Sequence, residues 1–340
     1  MEVETQIFES IDDVPEGPWD TAVAAAEAPI FYSRNYLSAF EKSALHGAKS
    51  YFYVLASSDE AGGRYAALPL VFPAESDPLD TIEGSFPDID LTAPCLIAPG
   101  WHCYDGLIPA TSSDRPLLRG VIDGVRELAR QQSVSWWALA NVDEGSEQRS
   151  TLEELGMRGR FADERYVLDL TPFSSFDDYV TSLSRRIRQD TRRYRRRAEE
   201  AGVEVFWKKP AEADLDSVLE VVHLTAGRYG VQSFYRPGPF QEFVRLLGES
   251  ALIVELRLDE RLIGAGVCML DSSRFHQWTF GVDYDAGERF SPYGIVFEQT
   301  FRAALASGAK ILEGGRRNGL YKSRRNLGCH RLLTYVHSFD

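Results

Sequence analysis

The densest group of reactive side chains lies near the end of the chain, where residues 313–331 read EGGRRNGLYKSRRNLGCHR. Two glycines follow a strand-like run and allow a backbone to approach a ligand closely. Arginine guanidiniums bind phosphate through paired hydrogen bonds. The segment contains these side chains at a strand end, where α/β sheets bind ligands: Arg316, Arg317, Tyr321, Lys322, Arg324 and Arg325. It is the first candidate site, and the alternative is a solvated basic loop.

A second basic segment precedes it in the chain. Residues 182–197 carry eight arginines and one aspartate, a net charge of +7, and residues 313–331 carry +5. The whole chain has a net charge of −14, so the remainder carries −26. An acidic protein does not ordinarily bind nucleic acid, but this asymmetry confines the positive charge to two segments. The candidate phosphate-binding arginines of residues 182–197 are Arg185, Arg186, Arg188, Arg192 and Arg193.

Two interpretations of the arginine-rich segment remain open from charge alone. In the first interpretation, the arginines contact phosphates along a nucleic-acid strand, and Tyr194 or Tyr321 stacks on a base. Alternatively, they form an internal ion network with the acidic remainder of the chain.

A general base is harder to identify than the cations. Glu313 ends a strand-like run, His276 lies within the strand-like RFHQWTF, and Asp88 and Asp90 lie in the loop FPDIDL. These four residues are the candidates for the acceptor side. Each must reach the attacking amine, and sequence does not fix that distance. A lone histidine in a strand is more often a hydrogen-bonded structural residue.

Composition limits the class of protein. Its 340 residues, 44% of them hydrophobic and 26% charged, predict a globular protein of two domains without a disulfide scaffold. No apolar run approaches the ~18 residues that span a bilayer, and the first ten residues do not resemble a signal peptide. The four cysteines have no CxxC spacing, and Cys95, His102 and Cys103 lack a fourth ligand, so we expect no metal and a cytoplasmic location.

Hydrophobic periodicity predicts helices and strands that alternate in the same order twice. The first half has helices near 19–27, 34–45 and 116–132, a hairpin of 51–58 with 65–72 around a turn at 59–64, and a strand at 135–141. The second half has helices at 215–228, 240–247 and 292–307, a hairpin within 251–270, and strands near 274–282 and 309–314. Ser291 caps the last helix and Gly308 ends it. The arginine-rich helix, 184–201, has no counterpart in the first half. We therefore predict two mixed α/β domains, 1–165 and 166–340.

This order resembles the acetyltransferase (GNAT) superfamily in doubled form, and more specifically the FemAB-like (Fem-type) aminoacyltransferases. The segments SLSRRIRQDTRRYRRRAEEAGVEV, RFSPYGIVFEQTFRAALASGAKILEGG and GLYKSRRNLGC carry the resemblance. It covers most of residues 173–339 by pattern and the first half by topology. It implies tandem GNAT-like domains with mixed sheets and a cleft between them, the first binding the acceptor and the second the donor.

The resemblance also implies acyl transfer to an amine. The aromatic–lysine pair of the family corresponds to Tyr321 and Lys322 in this sequence. In the family, that lysine lies beside the activated ester and the donor phosphates. A fixed cation there would stabilise the oxyanion of aminolysis. Fem-like enzymes are thought to move protons through the substrates themselves, so a general base is not required. The implied donor is an aminoacyl-tRNA, the acceptor is the amine of a small molecule or peptide, and no cofactor is bound.

One segment departs from the acetyl-CoA-dependent relatives. Those relatives carry a Gln/Arg-x-x-Gly-x-Gly/Ala turn whose amides hold a pyrophosphate at a helix start. Here RFSPYG retains Arg289 and Gly294, and Pro292 removes an amide donor. This weakens acyl-CoA as donor. Dependence on acyl-CoA or an acyl carrier protein stays an alternative, as does a non-catalytic RNA-binding module.

Overall fold

The computed structural model describes residues 3–45, 47–58, 63–79, 81–112, 115–287 and 289–339. The strands in these ranges are β1 (Val3–Phe8), β2 (Ser50–Ser58), β3 (Arg64–Phe72), β4 (Cys95–Ala98), β5 (Trp136–Asp143), β6 (Arg158–Asp169), β7 (Glu204–Lys208), β8 (Ala251–Leu258), β9 (Arg261–Leu270), β10 (Arg274–Val282), β11 (Ile311–Arg316) and β12 (Gly328–Ser338). The α-helices are α1 (Glu16–Ala25), α2 (Arg34–Ser43), α3 (Arg115–Gln131), α4 (Arg149–Glu154), α5 (Phe176–Ser182), α6 (Arg185–Glu200), α7 (Leu215–Gly227), α8 (Pro239–Leu247), α9 (Pro292–Ala306) and α10 (Gly319–Ser323). The turn expected at 59–64 lies largely outside the described residues.

The chain divides into two compact units. Unit 1 consists of Met1–Glu164 with His330–Asp340, and unit 2 consists of Arg165–Cys329. We expected residues 330–340 in the second domain, but they lie in unit 1, because β12 pairs with β5. Strand β6 begins in unit 1 and ends in unit 2.

The strands of the two units follow an equivalent order, position by position. Unit 1 runs β1-β2-β3-β4-β5-β12 and unit 2 runs β7-β8-β9-β10-β11-β6. In each unit only the fourth and fifth strands are parallel, as β4–β5 and β10–β11, and one long helix connects them. A parallel pair requires such a crossover. The duplicated mixed α/β architecture predicted from the sequence is therefore confirmed.

Unit 1 is built around α3. Its apolar face, with Leu117, Val121 and Leu128, packs on strands β2 to β5, whose central residues are almost entirely buried. The apolar spacing of 3.6 residues that predicted this helix places those side chains on one face. Strand β12 contributes Leu333 and Tyr335 to the same core.

Unit 2 is built around α9, which starts and stops where the sequence predicts. Ser291 Oγ accepts a hydrogen bond from the Gly294 amide at 3.1 Å, and Pro292 is the first helical residue. After the helix, Gly308 adopts a left-handed φ of +76°. Phe297 and Phe301 pack with α5 and β6 in one core cluster, while Ile295 and Val296 pack with the end of α6 in another. Helix α9 thus holds both α5 and α6 against the sheet.

Candidate active site in unit 2

The parallel strands β10 and β11 pair over only three residues. The register joins Arg274 with Ile311, Phe275 with Leu312 and His276 with Glu313, and no later pair is formed. Beyond Glu313 the register of β11 against β6 shifts at Gly314 and Gly315. A side chain at position 314 would lie 2.7 Å from Leu327 Cδ2, so only glycine fits this bulge. The two strands diverge at their carboxyl ends, the place where such sheets bind ligands.

The segment after β11 is a strained turn that Lys322 closes. Arg317 and Asn318 both have positive φ angles, +62° and +54°, which non-glycine residues rarely adopt. The Lys322 ammonium donates to Gly315 O at 3.1 Å and to Arg316 O at 2.7 Å, and it lies 5.5 Å from the centre of the Tyr166 ring. The side chain is 4% exposed. The predicted catalytic cation therefore also holds the turn together, and its catalytic part stays a prediction.

Tyr321 lies in a cluster of aromatic rings. It meets Tyr293 edge to face at 4.9 Å and Phe297 at 5.6 Å between ring centres. Its hydroxyl is buried and makes no hydrogen bond to any described residue. A side chain at Gly294 would lie 3.6 Å from that hydroxyl oxygen, which places it beside the first turn of α9. Burial raises the pKa of Tyr321 well above its ordinary value, so the hydroxyl keeps its proton.

Arg325 supports Tyr321. Its guanidinium lies 3.4 Å from the centre of the Tyr321 ring, its Nη1 donates to Tyr321 O at 3.3 Å, and the residue is 9% exposed. Tyr179 of α5 donates its hydroxyl to Arg325 O at 2.8 Å. Arg325, predicted as a phosphate ligand, is thus stacked on an aromatic ring, whereas Arg317 and Arg324 are exposed.

Helix α6 divides its arginines between an internal network and solvent. Arg195 Nε lies 2.7 Å from the Glu298 carboxylate of α9, and Arg195 Nη1 lies 2.8 Å from Asp177 of α5. Arg302 binds the same Glu298 oxygen at 2.9 Å. Burial raises the pKa of Glu298, and this effect exceeds the lowering of that pKa by the Arg195 and Arg302 guanidiniums. The hydrogen bond from Arg195 lowers the pKa of Asp177. This network fixes α6 on α9, so the internal interpretation holds for part of the helix.

The remaining α6 arginines face outward. In the described ranges, Arg185, Arg186 and Arg192 are exposed and have no ion-pair partner within 4.0 Å. Arg188 donates to Thr181 O at 3.0 Å, and Arg193 pairs with Asp190 at 2.7 Å within the helix. Because Arg195 holds the helix to α9, the exposed arginines of α6 lie on a fixed support.

A groove of about 320 Å³ lies between the C-terminal end of α6 and the loop that precedes α9. It is lined by Arg197, Glu200, Ala201 and Arg289. Arg197 Nη1 donates to Arg289 O at 3.0 Å, which joins the two basic residues. At the start of α9, Pro292 has no amide hydrogen and the Gly294 amide is capped by Ser291, so this helix terminus offers few donors to a pyrophosphate.

Two candidate acceptor residues meet in unit 2. His276 and Glu313 are register partners on β10 and β11, and both are buried. His276 Nε2 lies 2.9 Å from Asp271 Oδ2, while Glu313 Oε1 lies 3.5 Å from Arg165 and 3.6 Å from Arg274. His276 thus contacts one carboxylate and Glu313 two guanidiniums, and their contact with an acceptor stays a prediction.

The other two acceptor candidates lie in unit 1. Asp88 pairs with Arg158 at 2.6 Å, which lowers the pKa of its carboxyl, and Asp90 accepts hydrogen bonds from the Thr92 amide and hydroxyl. Both are exposed turn residues. Their proposed contact with an acceptor stays a prediction.

Two features are absent from the described part of the chain. No group of three or more His, Cys, Asp or Glu side chains there could hold a metal ion. No helix there has both the length and the apolar character needed to cross a membrane.

The site lies inside a recognised family domain. Residues 185–323, which include α6, α9 and α10, match the family model described as an acetyltransferase (GNAT) domain. The chain therefore contains a GNAT acetyltransferase domain in its second half. The expectation of an acyltransferase is thereby confirmed. No curated protein matches the chain in sequence.

Solved structures confirm the tandem GNAT fold. FemX aligns over 100% of this chain and 98% of its own, with 11% identity and a TM-score of 0.67. A tandem GNAT protein from the clavulanic acid biosynthesis pathway aligns over 99% and 98%, with 13% identity and a TM-score of 0.60. L-PGS from Bacillus licheniformis aligns over 94% and 91%, with 15% identity and a TM-score of 0.58. The Fem-like resemblance seen in the motifs thus extends to the fold of both halves.

Sequence reasoning missed two residues of this site. Tyr293 packs against Tyr321, and burial raises its pKa to about 12. Glu298 anchors α6 from within a helix that otherwise reads as apolar. An aromatic or acidic residue at a helical spacing carries no distinguishing signal, so only the contacts identify these two.

Proposed function

We propose that this GNAT acyltransferase transfers an aminoacyl group from tRNA to the amine of a small molecule or peptide. One observation carries the proposal: α6, the start of α9 and Tyr321 of α10 surround one small cavity. Thr191 and Tyr194 line it from α6, Gly294 from α9 and Tyr321 from α10. The arginine-rich helix α6 therefore lies directly beside a buried, protonated hydroxyl.

In the proposed reaction, the amine attacks the ester carbonyl of the donor and the terminal ribose hydroxyl leaves as the ester C–O bond breaks. The amine loses the proton that the leaving oxygen gains, so no oxidant or cofactor is needed. Tyr321 would donate a hydrogen bond that positions the donor terminus. Lys322 would stabilise the developing oxyanion, a contribution of about 10²–10³ in turnover for a comparable donor.

The basic residues support a donor longer than one nucleotide. The groove at Arg197 and Arg289 would hold phosphates of the donor, and Arg316, Arg317 and Arg324 would hold others. The exposed arginines Arg185, Arg186, Arg192 and Arg193 would follow the acceptor stem. The Fem-type resemblance implies the same donor.

Acyl-CoA is the second candidate donor. Arg289 and the start of α9 favour it, but the capped Gly294 amide and Pro292 leave few donors for a pyrophosphate. For the same reason we rank it below aminoacyl-tRNA.

The test uses radiolabelled aminoacyl-tRNAs and acyl-CoAs with a panel of amines, and product mass spectrometry as readout. We expect a labelled amide only with aminoacyl-tRNA and loss of most turnover in Lys322→Met. Lys310→Met is the matched control, because Lys310 is exposed at the opposite end of β11. Product from acyl-CoA alone would assign the other donor. RNA binding without any product would assign a binding module.

Because Lys322 also holds the turn after β11, Lys322→Met requires a check of folding. Its thermal midpoint and its tRNA affinity are measured with turnover. If turnover with charged tRNA stayed at the native value while folding was intact, the role of Lys322 would be wrong.

A further inference from the structure

Strand β7 is an open edge of the unit 2 sheet. It pairs with β8 and stands last in the strand order of the described residues. Its three central residues are large and exposed: Val205 by 36%, Phe206 by 39% and Trp207 by 43%. Edge strands usually carry central charges, prolines or bulges that prevent pairing with another chain. None of the five residues of β7 is a proline, and its centre is apolar.

The charges of β7 lie at its two ends and have opposite signs. Glu204 begins the strand and Lys208 ends it. If two copies pair antiparallel about Phe206, Glu204 of each lies opposite Lys208 of the other. Val205 then lies opposite Trp207, and Phe206 opposite Phe206. Opposite-charge, aromatic and β-branched pairs of this kind stabilise antiparallel strands.

The faces of the strand agree with this register. Alternate residues of a strand point to the same side, so Glu204, Phe206 and Lys208 share one face, and Val205 and Trp207 share the other. Every opposed pair therefore joins residues on the same face. A parallel arrangement would place like charges together, so the pattern selects the antiparallel one.

Lys208 is held in position for a second contact. Its Nζ donates to Glu255 Oε2 at 2.9 Å and lies 5.5 Å from the centre of the Phe206 ring. Glu255 is fully buried, and it fixes the ammonium beside the strand. An ammonium has three N–H donors, so it can bind Glu255 and a second carboxylate together.

We propose that β7 binds a second copy of this chain through an antiparallel β7–β7 pair about a twofold axis. A twofold contact uses the same patch on both copies, which the self-complementary order of β7 provides. Five residue pairs bury less than the ~1,200 Å² of stable interfaces, so the dimer dissociates on dilution.

The test is sedimentation of the full chain between about 1 μM and 1 mM, the range in which weak complexes dissociate. We expect the mass to rise with concentration from that of one chain towards that of two. Trp207→Lys should keep the chain monomeric, and Glu204→Lys should weaken the dimer about tenfold. Leu224→Lys is the matched control, because Leu224 is 52% exposed on α7 and should not affect the dimer.

Three results would overturn the proposal. One is a single-chain mass at every concentration, and another is a dimer that survives Trp207→Lys. The third is a monomer whose RNA binding is lost in Trp207→Lys, since this would assign the surface to RNA. Far-ultraviolet circular dichroism of each variant establishes that the chain is folded.

Discussion

Replacing Tyr321 by phenylalanine should make the protein more stable and less active. The hydroxyl is buried without a hydrogen-bond partner among the described residues, while the ring packs on Tyr293, Phe297 and Arg325. A buried unsatisfied polar group costs about 1–3 kcal/mol. Tyr321→Phe keeps the ring and removes that cost, so we expect the free energy of unfolding to rise by about 1 kcal/mol. The unfolding midpoint would rise by about 2–4 °C.

Tyr179→Phe is the matched control, because Tyr179 lies in the same unit and its hydroxyl donates to Arg325 O at 2.8 Å. Loss of that hydrogen bond leaves a buried carbonyl and should lower the free energy of unfolding by about 1 kcal/mol. The two variants, measured by urea unfolding, should therefore change stability in opposite directions. In the transfer assay, Tyr321→Phe should lose about 10²-fold in turnover. A destabilised Tyr321→Phe, or one with native turnover, would refute the reasoning.

Three further predictions concern charge, pH and packing. Arg192→Gln should reduce the salt dependence of tRNA affinity by about one unit of logarithmic slope, measured by filter binding at several salt concentrations. Burial acts to raise the pKa of Asp271, but the bond to His276 and the backbone amides hold it below its usual range. Its stabilising effect is therefore present above about pH 4 and is lost as the pH falls further, and unfolding of Asp271→Asn should show a smaller acid dependence. Gly281→Ala should lower the free energy of unfolding by about 1–3 kcal/mol, because the added Cβ would overlap the backbone of α7. In Gly17→Ala the Cβ meets no atom within 4 Å, so this variant in α1 should raise the free energy of unfolding by about 0.5–1 kcal/mol.

Local patterns predicted the long helices well, whereas the short helices α4, α5 and α10 were not predicted. The apolar repeat of α3, the Ser291 cap of α9 and the arginine-rich sequence of α6 each act over a few turns, so the sequence carries them directly. The predicted limits of α3, α6 and α9 agree with the structure within one or two residues. The repetition of these elements was sufficient to predict a duplicated mixed α/β fold, and the family resemblance of the motifs implied that it is GNAT-like.

Five strands were not predicted from the sequence: β1, β4, β6, β7 and β12. Strand β4 has only four residues, and β6 carries six charged residues among twelve, which masks the alternation of a half-buried strand. Strand β1 is short and partly exposed. Their backbones form strands because they pair with neighbours distant in sequence, as β1 does with β2 and β6 with β11.

The sequence by itself determined the types of group at the candidate site and the helices that carry them. Only the tertiary structure decided which of those groups are exposed and which hold the fold. Arg325 and Arg195 have the same chemistry as Arg192, yet one stacks on Tyr321, one pairs with the buried Glu298, and one is exposed. It also decided that the last strand belongs to unit 1. Each of these outcomes depends on contacts between residues far apart in the chain, and neither local periodicity nor capping carries that information.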